Sequence, residues 1–170
     1  MNTALSKSRF KQGLECPNKL YFSNNSVLYH NVKKHDTFLQ ALASGGFQIE
    51  EYARLQYPEG ILIEDPEDRK DYDYQDLADQ TTALLQRENV VIFEAAFYID
   101  HLFIRTDLLV KKGNQIKLIE VKAKSIDPRK EDNFLTKKKR KIVSGWKPYL
   151  FDLAFQTYVA QKCLPNCKIT

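Results

Sequence analysis

Apolar and polar positions change their rhythm about halfway along this chain. The first half reads in helical periods. Ser6 precedes Lys7-Ser8-Arg9-Phe10 and is placed to cap a short helix, which leads into Cys16-Pro17-Asn18-Lys19-Leu20-Tyr21-Phe22. Asp36 is placed to cap a second helix reaching about Ser44, where Gly45-Gly46 interrupts it. A further helical pattern covers residues 47–56 and stops at Pro58-Glu59-Gly60. The acidic residues 64–74 predict an exposed loop, and residues 76–88 predict an amphipathic helix with Leu77, Leu84 and Leu85 inward.

The second half is richer in strand formers. Residues 90–99 predict one strand and residues 101–111 another. Lys112-Gly113-Asn114-Gln115 carries Gly at the first central position, as a type II′ hairpin turn requires. Residues 116–122 predict a third strand, a polar basic stretch follows, and residues 149–161 predict a closing helix. Helices, then a strand meander, then a helix describe an α/β or α+β core with a helix packed on the sheet.

At 170 residues and 43 % hydrophobic, the chain suits one domain with a real core and excludes disorder throughout. No apolar run reaches the roughly 18 residues of a membrane span. The opening MNTALSKSRF has no apolar export region, so the expectation is a soluble, cytoplasmic protein. Three cysteines, an odd number without an export signal, argue against a disulfide scaffold. The net charge is only +4 but uneven. Residues 59–79 are acidic, while residues 111–147 are basic and include Lys137-Lys138-Lys139-Arg140-Lys141. Such a stretch is either a phosphate-facing surface or a solvated loop. His30, His35 and His101 form no ligand set and read as ordinary polar residues.

Candidate chemistry concentrates on the predicted hairpin. With Gly113 and Asn114 as the central turn residues, Lys112 faces Gln115 and Asp107 faces Glu120. Directly opposed residues have Cβ atoms about 4.5–5.5 Å apart. Lys122, two positions after Glu120, shares that face. Like charges so placed destabilise a bare hairpin, and the apolar Phe103, Leu109 and Leu118 beside them limit solvent relief. A divalent cation resolves the conflict. Mg²⁺ needs only one or two carboxylates and keeps positions for water and phosphate; the Val121 carbonyl could add a ligand. Lys122 would then orient water and offset developing charge. The bland alternative is an exposed hairpin with surface charges.

The set Asp107, Glu120-Val121-Lys122 resembles the core of the PD-(D/E)XK nuclease superfamily. The whole chain resembles a RecB-like nuclease domain, akin to the CRISPR adaptation nucleases and to an uncharacterised bacterial RecB-like family. The resemblance rests on four stretches: Leu5-Ser6-Lys7-Ser8-Arg9-Phe10 with Leu14-Glu15-Cys16-Pro17; Gly46-Phe47-Gln48-Ile49-Glu50 through Tyr57-Pro58-Glu59-Gly60; Ile92-Phe93-Glu94-Ala95-Ala96-Phe97; and Trp146-Lys147-Pro148-Tyr149 through Tyr158. It implies a restriction-endonuclease-like core, with a central mixed β-sheet flanked by helices. It also implies Mg²⁺ or Mn²⁺, and single strands or duplex ends of DNA as substrate.

Residue by residue, the resemblance makes Asp107 and Glu120 metal ligands and Lys122 catalytic. Glu50 stands where relatives place a metal-binding His, and Glu94 where they keep a Glu of less clear role. Gln156 and Tyr158 correspond to a DNA-contacting motif, although its usual spacing is four rather than two; for Tyr158, helix packing is an equal reading. Lys124 joins them as a nucleic-acid contact. Some relatives bind a [4Fe–4S] cluster through four cysteines. Cys16, Cys163 and Cys167 suggest that arrangement but fall one short, and incidental thiols are the alternative. The chain ends three residues after Cys167, so residues 1–170 are expected to be the N-terminal part of a longer protein. The alternative to a nuclease is an inactive nucleic-acid-binding or assembly module of the same fold.

Overall fold

Three antiparallel strands joined by two tight turns organise the molecule. The computed structural model describes residues 4–25, 27–31, 36–65, 73–129, 133–136, 138 and 140–170. Its elements in chain order are β1 (Leu5–Ser6), α1 (Lys7–Glu15), α2 (Pro17–Asn24), α3 (Thr37–Arg54), β2 (Ile61–Leu62), α4 (Tyr74–Leu84), β3 (Asn89–Ile99), β4 (Leu102–Lys112), β5 (Gln115–Ile119), α5 (Lys147–Cys163) and β6 (Lys168–Ile169).

β3 and β4 pair along their whole length, from Asn89↔Lys112 to Ile99↔Leu102. The turn between them takes positive φ at both Asp100 and His101, the backbone of a two-residue hairpin loop. His101 therefore belongs to a turn and not, as its sequence position suggests, to a strand. The second turn follows expectation: Gly113 has φ +57°, and the ladder runs from Lys112↔Gln115 to Leu108↔Ile119.

Short segments complete a mixed sheet in the order β2-β3-β4-β5-β6, with β1 also paired to β4. β2, β6 and β1 all add in parallel. β3 fills one side of β4. The other side holds β5 against residues 108–112 and β1 against Leu102 and Phe103. Those two strands lie end to end on one edge and leave a gap beside residues 104–107. The site occupies that gap.

The fold is thus α/β, with an open mixed sheet of six strands flanked by helices. Leu77, Ile92, Ile104, Leu109, Ile116 and Val159 are fully or almost fully buried in the main core beneath α4 and α5. A smaller cluster of Val91, Phe93 and Leu108 lies beneath Ala53 and Tyr57. Gly60 approaches Phe93 so closely that a Cβ there would stand 2.1 Å from the ring.

Two helical expectations need correction. Ser6 caps α1 through Arg9 N–H, and Asp36 caps α3 through the N–H groups of Phe38 and Leu39, as expected. Gly45-Gly46, however, does not divide α3, which runs unbroken through both glycines. Each Gly costs only about 1 kcal/mol, and the capped turns on either side carry the helix across. The helix at 76–88 starts earlier, with Asp73 as its cap, and ends at Leu84. Most of the predicted acidic loop, residues 66–72, lies outside the described residues, as does His35. Among the described residues no helix is long and apolar enough to cross a membrane.

Candidate active site

The carboxylates are brought together by strand register and then by a departure from it. Leu109 and Leu118 pair across the hairpin and enter the main core. Asp107 is two residues before Leu109 and shares its face. β5 was expected to continue to Lys122 but ends at Ile119. The reason is local: Val121 N–H donates to Asp107 Oδ2 at 2.6 Å instead of joining the ladder. Glu120 turns inward with it.

Four side chains then converge on Glu120. Lys7 Nζ lies 3.1 and 3.2 Å from its two oxygens. Gln156 Nε2, from α5, donates to Oε2 at 2.6 Å. Lys122 Nζ bonds Oε1 closely. The fourth is Asp107 itself, linked through both ammonium groups, with Lys7 Nζ 3.7 Å from Oδ1 and Lys122 Nζ 3.8 Å from Oδ2.

Lys122 Nζ also donates to the Val121 carbonyl at 2.9 Å. Asp107 Oδ2, Glu120 Oε1 and Val121 O therefore surround one positive charge. Among the described residues no group of three His, Cys, Asp or Glu side chains forms a ready-made metal cage. Mg²⁺ does not need one, since two carboxylates and a carbonyl leave room for water and substrate oxygens. These oxygens already gather around a cation, so the donor set fits the hard divalent ion that the resemblance implies.

Burial sets the electrostatics. Burial first, and then the charge of Glu120, push the Asp107 carboxyl above the ordinary Asp range; Lys7, Lys122 and Val121 N–H oppose this without cancelling it. Burial would raise Glu120 as well, but the Lys7 charge and the hydrogen bonds from Lys122 and Gln156 outweigh it and hold Glu120 below the usual carboxylate range. The two acids differ because both ammonium groups lie closer to Glu120 than to Asp107. Glu50 on α3 is raised, first by burial and then by Asp107 and Glu94, so its carboxyl senses the same site.

Glu94 lies across from Asp107. The β3–β4 register is continuous on both sides, Phe93↔Leu108 and Ala95↔Thr106, yet Glu94 itself is left out of the ladder. Its φ of +56° is left-handed, a conformation that costs a non-Gly residue roughly 1–2 kcal/mol. Arg54 and Arg105 hold its carboxylate at 3.0 and 3.3 Å. It braces α3 against the sheet beside the site.

Not every expected residue joins this cluster. Gln156 is buried on Glu120, whereas Tyr158 faces outward on α5 and is 56 % exposed. Lys124 lies 4.4 Å from the centre of the Trp146 ring and 4.9 Å from that of Tyr149, and Phe134 packs on Trp146 at 4.7 Å. Lys137 and Lys139 of the basic run lie outside the described residues; Lys138 and Arg140 are exposed. Cys163 and Cys167 pack against the main core, while Cys16 sits at the junction of α1 and α2. Burial, followed by Asp100, raises the Cys163 thiol.

The sequence reading notes Asp152 four residues before Gln156 but gives no role to it, to Lys7 or to Lys11. Asp152 is fully buried, one helical turn before Gln156, and takes Lys11 at 3.2 Å. No local spacing announces contacts between the first helix and the last. Compared with protein-family models, with curated proteins and with solved structures, the chain matches none.

Proposed function

We propose that this chain is a Mg²⁺- or Mn²⁺-dependent nuclease that hydrolyses phosphodiester bonds in DNA and has a PD-(D/E)XK, RecB-like core. One observation carries the proposal: Asp107 Oδ2, Glu120 Oε1 and the Val121 carbonyl converge on a single cationic atom at the open edge of β4. A divalent ion bound there would supply charge stabilisation and an activated water.

The chain's own groups perform the rest. Asp107 and Glu120 present negative oxygens, and Gln156 fixes the rotamer of Glu120. Lys122, once released from those oxygens, would orient an attacking water and offset the negative charge growing on a phosphoryl oxygen. Val121 N–H keeps Asp107 oriented. The aromatic and basic surface around Lys124, Trp146 and Tyr149 supports a nucleic-acid substrate, because bases stack on rings while phosphates seek ammonium groups.

The test is direct. Purified protein with Mg²⁺ or Mn²⁺ should degrade labelled single- or double-stranded DNA, and chelator should stop it. Lys122→Ala should lower the rate at least ~100-fold while leaving DNA binding largely intact. Tight, salt-sensitive binding without any metal-dependent cleavage would establish the binding-module alternative instead.

A further inference from the structure

Lys7 is the strongest feature that the proposed reaction leaves unused. It opens α1 and lies 113 positions from Glu120, yet its ammonium touches both oxygens of that residue and stands 3.7 Å from Asp107 Oδ1. Lys122 lies against the other Asp107 oxygen, Oδ2. Each oxygen of Asp107 thus faces its own ammonium, and Glu120 joins the two. Nucleases and phosphatases that use paired metal ions place them about 3.5–4 Å apart around shared carboxylates. Here Lys122 stands among the oxygens that could take one metal ion, and Lys7 stands on the same two carboxylates at Asp107 Oδ1.

The placement of Lys7 is built rather than incidental. Phe10, nearly one turn further along α1, stacks on Phe155 of α5 with centroids 4.4 Å apart and planes 11° from parallel. Lys11 pairs with the buried Asp152 on the same helix. Gln156, one turn beyond Asp152, shares Glu120 with Lys7. α1 is therefore fixed on α5 at two points, and Lys7 is delivered to Asp107 Oδ1, whereas Lys122 faces Oδ2. Its side chain is 23 % exposed, so its charge is poorly screened.

We infer that Lys7 serves as a built-in second cation, which restricts the site to a single divalent metal ion. The charges agree with this. Two carboxylates are balanced by two ammonium groups. One metal ion bound among those oxygens would displace Lys122 toward the substrate phosphate and would leave Lys7 in place. A second ion would have to evict Lys7 as well, and would gather four positive charges on two carboxylates. Lys7 is a positioning residue in this scheme: it holds the carboxylates and has no contact with substrate.

The inference rests on the metal-binding reading above, and metal counting separates the two. Mn²⁺ bound per chain would be measured by electron paramagnetic resonance for wild type, Lys7→Met and Lys7→Arg, without DNA. Wild type is expected to bind one ion. Lys7→Met is expected to bind two, with the spectral broadening of a coupled pair. Lys7→Arg should return to one. Should Lys7→Met not fold, as judged by thermal melting, Lys7→Gln carries the same count. Two ions in wild type, or one in every variant, would overturn the role of Lys7 while leaving the metal site standing. No bound ion in wild type would overturn both.

Discussion

Gln156 Nε2 donates to Glu120 Oε2 at 2.6 Å, and that amide is almost entirely buried. The last long helix of the chain thus sets the orientation of a carboxylate at the end of the hairpin. Groups that hold a ligand in place commonly contribute 10–100-fold to metal affinity. Gln156→Leu should accordingly weaken Mn²⁺ binding by about 10- to 100-fold with the fold intact, which titration calorimetry beside a thermal melt would measure. Unchanged affinity would reduce Gln156 to a packing residue.

Asp107 should cost the metal-free protein stability at neutral pH. Its carboxyl is raised above the ordinary Asp range, chiefly by burial and then by Glu120. A raised acid helps the folded state below its unfolded pKa, and that help is lost as pH rises through the folded pKa. At pH 7 the charged form is therefore the costly one. Asp107→Asn should melt higher than wild type at pH 7 in chelator, and the gap should close as the pH falls into the carboxylate range. The same variant should lose Mn²⁺ binding. A lower melting temperature at pH 7 would contradict this picture.

Thr81 joins α4 to the centre of the sheet. Its buried hydroxyl donates to the Leu77 carbonyl and accepts Ala96 N–H at 2.8 Å. Thr81→Val keeps the shape and orphans that N–H, so it should cost about 1–3 kcal/mol. Urea unfolding monitored by circular dichroism would read the loss as a lower midpoint with an unchanged slope.

The rings around Lys124 should carry part of the affinity for nucleic acid. Stacking contributes about 1–3 kcal/mol per base, so Trp146→Ala should weaken single-stranded DNA binding by about 5- to 150-fold in fluorescence anisotropy. Lys124→Ala should instead flatten the salt dependence by roughly one phosphate contact. Equal binding in both variants would move the DNA path elsewhere.

The hairpin was legible because its information is local. The Gly113 turn fixes the β4–β5 register as far as Leu108↔Ile119, which sets Asp107 and Glu120 one position beyond the last pair. What the pattern hid is equally physical. Val121 leaves the ladder because a carboxylate competes for its N–H, which no strand propensity encodes. β1, β2 and β6 have only two residues each, too few to show a period. α3 crosses two glycines because its cap and flanking turns sustain it. Lys7 could not be found at all, since its partner is contributed by a distant strand end.

The gap that β1 and β5 leave beside β4 has a further consequence. A stretch of strand without a pairing partner on a sheet edge ordinarily recruits a strand from another molecule and seeds aggregation. Here it spans only residues 104–107 and contains an inward-pointing charge, Asp107, flanked by two lysines. Charges buried at an open edge are among the devices that keep such edges solitary. Asp107, held between two lysines, thereby discourages another strand from pairing at the stretch of β4 that β1 and β5 leave free.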